Sequence, residues 1–313
     1  MLGKTAGGLY WMFRSLERAE NTTRLIEAGF RIALTRSTDA EAEWKSVIVT
    51  SAAQAAFEAK YNSYDSLRVT NFLLRDADNP GSVFSAVKSA RDNARLVRTA
   101  LTWEVWTAVN ETWMLLCNIL RKPVKETELP EVLAAIRQQS ALVRGALTGT
   151  MLRMDTYHFC KIGIHVERAD NTARIVDVKY HALLPASSVV GGRLDNVQWE
   201  TLLRSVSAHR AFRWAVEEDF TAPAIASFLI LDQRMPRSLS FCLAEIVASL
   251  GYLADSYGEK LASHSLADKL RARLDNRDIS SIFEEGLHEF LGSVIRDNGN
   301  LGLQIEQDYR FNI

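Results

Sequence analysis

One eight-residue run occurs twice in this chain, and its repetition is the strongest constraint on the fold. ERAENTTR spans Glu17 to Arg24 and ERADNTAR spans Glu167 to Arg174, identical at six of eight positions and offset by 150 in a chain of 313 residues. A run that recurs at half the chain length marks a duplicated unit. The sequence is therefore expected to form two pseudo-repeated halves, residues 1–150 and 151–313. Both copies carry helical periodicity. At about 100° per residue, Met12, Leu16, Ala19, Thr23, Ile26 and Phe30 share one face, and Arg14, Glu17, Asn21 and Arg24 the opposite one. The second copy repeats the apolar face with Ile162, Val166, Ala169, Ala173, Val176 and Tyr180. Its polar stripe of Glu167, Asn171 and Arg174 is bordered by Ile164, Ile175 and Val178, the pattern of a half-buried polar seam.

A Glu and an Arg seven residues apart with Asn between them stack on one helix face, where each can hydrogen-bond the other or a shared ligand. Two readings follow. One is an internal Glu/Arg/Asn network that fixes the helix against its neighbours, because buried polar groups must be satisfied. The other is a ligand or partner site.

With 37 basic and 38 acidic residues the net charge is −1, so no global field draws the chain to nucleic acid or an anionic membrane. The N-terminal MLGKTAGGLYWMF lacks a secretory signature, and no stretch approaches 18 uninterrupted apolar residues. These features imply a cytoplasmic protein without a membrane span. Cys117, Cys160 and Cys242 are far apart and odd in number, as buried thiols of a reducing compartment would be. A reactive thiol at Cys160 would need His158 or His165 as its base.

Only 6 prolines and 16 glycines interrupt the chain, and alternating runs are few, so helices are expected nearly throughout. They fall over Leu9–Leu34, from the Thr38/Glu41 capping box through Ala55, and over Ser66–Asp76. Ser82 caps a helix to about Arg98, followed by Thr102–Leu120 and Pro130–Leu147. The second half reads as Asp155–Leu184, a loop at Pro185–Gly192, and a helix capped by Asp195 that runs through Phe212. Helices at Ser238–Ser256, Ser263–Asp275 and Ile279–Arg296 follow. FLLRDADNPGSV at Phe72–Val83 matches FLILDQRMPRSL at Phe228–Leu239, with Phe, Asp, Pro and Ser in step at an offset of 156. The change of offset places an insertion between the two motifs, in the region of the Pro185–Gly192 loop.

Two stretches resemble the alpha-E family of bacterial proteins. LYWMFRSLERAENTTRL at Leu9–Leu25 is similar to the family's opening signature. FLLRDADNPGSVFSAVKSARDNARLVR at Phe72–Arg98 is similar to its Asp-x-x-Asn-Pro-x-Ser run followed by Ala-Arg-x-Asn-Ala-Arg. The resemblance implies an all-helical protein with internal repeats. It also implies genes encoded beside a circularly permuted ATP-grasp ligase, often with a transglutaminase-like protease and sometimes a proteasome-like peptidase. That company suggests a part in making or modifying a peptide; no catalytic residue carries over. The repeat is asymmetric: Arg14 matches Ile164, and the Arg91–Arg95 run has no counterpart near Ile246–Gly251.

Lys88, Arg91, Arg95 and Arg98 fall within an arc of roughly 80° on one helix, a cationic stripe suited to phosphates or carboxylates. Alternatively it pairs with Glu17, Glu20, Asp76 or Glu104. Metal ligands are sparse. Glu285 and His288 form a single Glu-x-x-His pair, His158 and His165 are two turns apart, and His209 and His264 stand alone. No metal and no cofactor is expected, and Walker, dinucleotide and nucleophile-elbow motifs are absent. Trp103, Trp106 and Trp113 on one helix read as core or interface.

These readings combine into an all-α protein whose two halves pack face to face around the two ERA helices, with a cleft between them. The leading function is an accessory or binding component that partners the ligase and binds a carboxylate- or phosphate-bearing ligand or peptide. Its candidate ligand residues are Arg14, Glu17, Arg18, Asn21, Arg24, Asp76, Asn79, Arg91, Asn93, Arg95 and Arg98, with Glu167, Arg168, Asn171 and Arg174 in the second copy. The first alternative is an enzyme with a buried Glu17 or Glu167 as general acid or base. The second is a purely structural scaffold.

Overall fold

A computed structural model of the chain describes residues 1–35, 40–182, 199–200, 202–216, 220–275 and 277–311. Among these residues every regular element is a helix. The chain divides into two compact units, one of Met1–Ile164 with the end of the chain from Tyr309, the other of His165–Asp308. The expected boundary at 150/151 therefore moves to 164/165, inside a helix, and the chain end rejoins the first unit.

In the first unit, α1 (Gly3–Thr35) is the central rod. Around it stand α2 (Ala40–Thr50), α3 (Gln54–Glu58), α4 (Ser66–Leu74), α5 (Val83–Leu96), α6 (Trp103–Ile119) and α7 (Leu129–Thr150). α1 packs most extensively on α5 and also meets α2, α4 and α7. The apolar face read from the sequence is the buried one: Met12, Leu16, Ala19, Ile26 and Phe30 are all in the core. Phe57 and Phe72, both fully buried, meet edge to face with centroids 5.3 Å apart, and Tyr61 and Tyr64 pack against Phe57. Helix α8 (Asp155–Ala182) begins in this unit, and its Gly163 lies against α1 so closely that an added methyl would overlap the Tyr10 carbonyl. Only glycine allows that backbone approach.

The second unit holds the remainder of α8, then α9 (His209–Ala215), α10 (Ala222–Ile230), α11 (Leu239–Tyr257), α12 (Ala262–Asp275), α13 (Ile279–Glu285) and α14 (Leu287–Asp308). α11 packs on α12, and α14 packs on α12 and α13. By length and composition α11 is apolar enough to cross a membrane, with a mean hydropathy of 1.3 over its window. Its Leu239, Cys242, Leu243, Ile246, Leu250 and Leu253 are buried in the unit's own core. Asn298 on α14 is buried too and donates from Nδ2 to the Val166 carbonyl at 2.9 Å.

Three helices expected to be continuous are broken. The second ends at Thr50, because Ala52 takes a left-handed φ of 55°. The helix expected to run through Phe212 breaks at Ser207, also at φ 55°. The Ile279–Arg296 helix divides at Gly286, whose φ of 101° suits glycine alone. Thr38, Leu184, the Pro185–Gly192 loop, the Asp195 cap and the side chains of Val178 and Tyr180 lie outside the described residues.

Candidate functional site

The turn between α4 and α5 is built by short polar side chains. Asp76 Oδ1 accepts the Asp78 amide at 3.0 Å, and Asn79 Oδ1 accepts the Gly81 amide at 2.9 Å. Asn79 Nδ2 donates to the Phe72 carbonyl at 3.1 Å, and Ser82 Oγ caps α5 by accepting the Ser85 amide at 3.1 Å. The turn between α10 and α11 uses the same devices. Asp232 Oδ1 accepts the Arg234 amide at 2.7 Å, and Ser238 Oγ caps α11 at the Phe241 amide, 3.0 Å away. The ERA helices dock on these turns at matching positions: Thr22 Oγ1 donates to the Gly81 carbonyl at 3.5 Å, and Thr172 Oγ1 to the Arg237 carbonyl at 2.8 Å.

Where α1, this turn and α5 meet, the first unit has an open cleft of about 590 Å³. Trp11, Ser15 and Arg18 line it from α1, Ala77 and Pro80 from the turn, and Ser85, Lys88, Ser89, Asp92, Asn93 and Leu96 from α5, with Phe84 at the α5 start. Ser15 and Ser89 face each other across the floor at 3.5 Å between hydroxyl oxygens. Serine is small, so the helices leave space here. At the matching positions of the second unit stand His165, Phe241 and Glu245, opposite Ser15, Ser85 and Ser89 in the repeat. His165 Nε2 lies 3.6 Å from Glu245 Oε2, and the His165 and Phe241 rings are 5.9 Å apart. Larger side chains thus occupy that register in the second unit.

Of the predicted ligand residues, Arg18 and Asn93 line the cleft, together with Lys88 of the stripe. Lys88 Nζ is 2.8 Å from Asp92 Oδ2 on the rim. Arg14 stacks 4.8 Å from the Trp11 ring centroid and donates to Tyr10 Oη at 3.0 Å. Asp76 and Asn79 belong to the turn, and Asp76 also takes Lys60 at 2.9 Å. Glu17 and Asn21 are buried within the unit and do not line the cleft.

Arg24 pairs with Glu20, four residues away, through Nε at 2.9 Å and Nη2 at 2.6 Å. Glu20 is fully buried and also binds Arg144 of α7. In the second unit Arg174 Nε meets Asp170 at 2.7 Å, the same four-residue spacing. Arg168 Nη1 donates to the Pro236 carbonyl at 3.1 Å, Glu167 is buried and Asn171 is half-buried.

The cationic stripe does not pair as expected with Glu17, Glu20, Asp76 or Glu104. Arg91 donates from Nε to Asn110 Oδ1 at 3.0 Å and lies over Trp113; Arg98 lies over Trp106; Arg95 is exposed. The carboxylates named for them are held elsewhere, Glu20 by two arginines and Asp76 by Lys60. Trp103, read as core or interface, is 71% exposed and so lies outside the core.

No group of three potential metal ligands occurs among the described residues. Glu285 is tied to Arg277, and His288 Nδ1 to Asp177 at 2.6 Å, so the Glu-x-x-His pair does not converge. Cys160 is fully buried, its Sγ donates to the Thr156 carbonyl at 3.2 Å, and burial pushes its thiol well above the usual range. Iodoacetamide is expected to alkylate the exposed Cys117 in the native protein and to reach the buried Cys160 and Cys242 only after denaturation. Peptide mapping by mass spectrometry reads this directly, and native labelling of Cys160 would contradict it.

The all-helical fold and the two ER-bearing helices are the features of an Alpha-E domain. The chain belongs to that family, described as a predicted alpha-helical domain with a conserved ER motif, and the match covers residues 1–309. The two ER dipeptides are Glu17–Arg18 and Glu167–Arg168. An uncharacterized protein of Mycobacterium bovis is 24% identical over 317 residues, covering 92% of this chain and 34% of its own length. Uncharacterized proteins of two Mycobacterium tuberculosis strains match with the same identity and coverage. The chain thus spans about a third of the length of the curated relatives it matches. No solved structure matches the chain.

Proposed function

We propose that this protein is an accessory, ligand-presenting component of a cytoplasmic peptide-synthesis or peptide-modification system. Its cleft holds a carboxylate- or phosphate-bearing ligand or peptide for a circularly permuted ATP-grasp ligase. The observation that carries this reading is the cleft between α1 and α5. Its cations are Arg18 and Lys88, the latter paired with Asp92, which an anionic ligand would have to displace. Hydroxyls of Ser15, Ser85 and Ser89 and the Asn93 amide are its hydrogen-bonding groups, and Trp11, Pro80 and Phe84 its apolar wall.

Binding suits this lining better than acid–base catalysis. Its one carboxylate, Asp92, is paired with Lys88, and Glu17, the candidate general acid or base, lies outside it. The link to the ligase rests on the alpha-E resemblance. The length of the mycobacterial relatives suits a module that works beside other domains.

The test is a ligase assay with and without this protein. Wild-type protein is expected to co-elute with a circularly permuted ATP-grasp ligase from its host and to raise that enzyme's peptide-dependent ATP turnover. Arg18→Ala is expected to keep co-elution and lose about tenfold or more of that stimulation. Stimulation unchanged by Arg18→Ala would overturn the role of the cleft; no co-elution and no stimulation would overturn the accessory reading.

A further inference from the structure

Beyond the cleft, the opposite flank of α5 carries a surface that the binding reading leaves unused. Arg91 on α5 and Arg98 just past its end reach residues of α6, Arg95 lies between them in sequence, and among the described residues no carboxylate lies within ion-pair distance of any of the three. Elsewhere in the unit Arg24, Arg68 and Arg137 find acids in Glu20, Asp65 and Glu27, while Arg75 and Arg153 spend their donors on carbonyl oxygens. Two of the three uncompensated guanidinium groups are held in place. That of Arg98 sits 5.1 Å from the Trp106 ring centroid, and that of Arg91 sits 5.7 Å from Trp113 while donating to Asn110. Arg95 stands between them, exposed. Beside this row Trp103 is 71% exposed, and Leu96, 82% exposed, stands where the ridge meets the cleft it also lines, so large apolar groups are left in water at the α5–α6 corner.

We propose that this arginine–indole ridge on α5 and α6 is a docking surface for an acidic amphipathic helix of a partner protein. Along α5 Arg91 and Arg95 are separated by about 6 Å, the rise of four helical residues, and Arg98 follows just beyond the helix end in a short 3-10 turn, Arg98–Ala100. Carboxylates four residues apart on a partner helix reproduce the Arg91–Arg95 spacing, a further acid one turn on reaches Arg98, and each meets a planar fork of donors. Leu96 and Trp103 receive the apolar residues of the same helix face. Arginines already stacked on indoles lose little further freedom on binding, which makes them good anchors. Single-stranded nucleic acid fits less well, because bases stack on open aromatic faces. Here Trp106 carries a guanidinium and Trp113 is covered by Arg91 and by Phe84, 5.0 Å away, which leaves Trp103 as the one open indole of the three on α6. The proposal stands whatever the cleft binds.

The test uses a fluorescein-labelled helical peptide of about six turns, with Glu three and four residues apart and Leu between them. Binding to the full chain is followed by fluorescence anisotropy at low and high salt. Salt-sensitive binding is expected, with affinity falling about tenfold or more for Arg95→Glu and for Trp103→Ser, and to background for Arg91→Glu/Arg95→Glu/Arg98→Glu. Arg95→Glu alone changes an exposed side chain, so it keeps the test valid if the triple variant misfolds. Absence of binding, or binding indifferent to Arg95→Glu, would overturn the proposal. So would tighter, ridge-dependent binding of oligothymidylate or of phosphatidylglycerol vesicles.

Discussion

Glu20→Ala is expected to lower the stability of the first unit by about 3–5 kcal/mol, because it strands two arginines around an uncompensated hole. The Glu20 carboxylate is fully buried, held by Arg24 from within α1 and by Arg144 from α7. Their side chains are only 14% and 30% exposed, so water cannot replace the lost acid well. The matching acid of the second copy gives the control. Asp170 and its partner Arg174 are 23% and 35% exposed, and Asp170→Ala is expected to cost about 1 kcal/mol or less. Urea unfolding followed by circular dichroism separates the two. Equal losses for both variants would mean that Glu20 is not the buried junction of α1 with α7.

Phe311→Ala should have a similar effect for a different reason. Phe311, 5% exposed, closes the core of the first unit against Tyr10 at 5.3 Å and Phe159 at 6.1 Å between ring centroids. An added methyl on Gly7 would come within 2.8 Å of its Cβ, so glycine leaves the seat for this ring. Deleting the ring leaves a cavity that helices cannot easily collapse into, at a cost of about 3–5 kcal/mol. In thermal unfolding this amounts to a fall of roughly 10 °C for a unit of this size. Leu303→Ala on the exposed side of α14 is expected to change little, since Leu303 is 60% exposed. A Phe311→Ala protein as stable as wild type would show that the chain end is not part of the first unit's core.

Much of the fold was legible because helical periodicity and capping are local properties. Ser82 caps its helix as read, and Thr102 and Ser238, read as helix starts, are the N-caps of theirs. The breaks at Ala52 and Ser207 were not legible, since a left-handed alanine or serine leaves no compositional trace. The site was only partly legible. A motif with a charge on every turn draws attention to its charged residues, yet Glu20, Arg24, Asp76 and Asn79 serve the interior and the turn. The cleft comes instead from small residues, Ser15 against Ser89 and Ser85 nearby, and space between helices has no residue type of its own. The repeat held a usable signal: Ser15, Ser85 and Ser89 are matched by His165, Phe241 and Glu245, so the two copies differ in bulk where one of them opens.

That difference supplies the most direct measurement of the central claim, that the cleft between α1 and α5 binds an anionic ligand. The protein is purified from its own host and analysed by native mass spectrometry beside a Ser15→His/Ser89→Glu variant, which transplants the bulk of the second copy into the first. Wild-type protein is predicted to carry a carboxylate- or phosphate-bearing small molecule or peptide, released on denaturation and missing from the variant, with unchanged circular dichroism. The same ligand retained in the folded variant, or no ligand on either protein, would contradict the account.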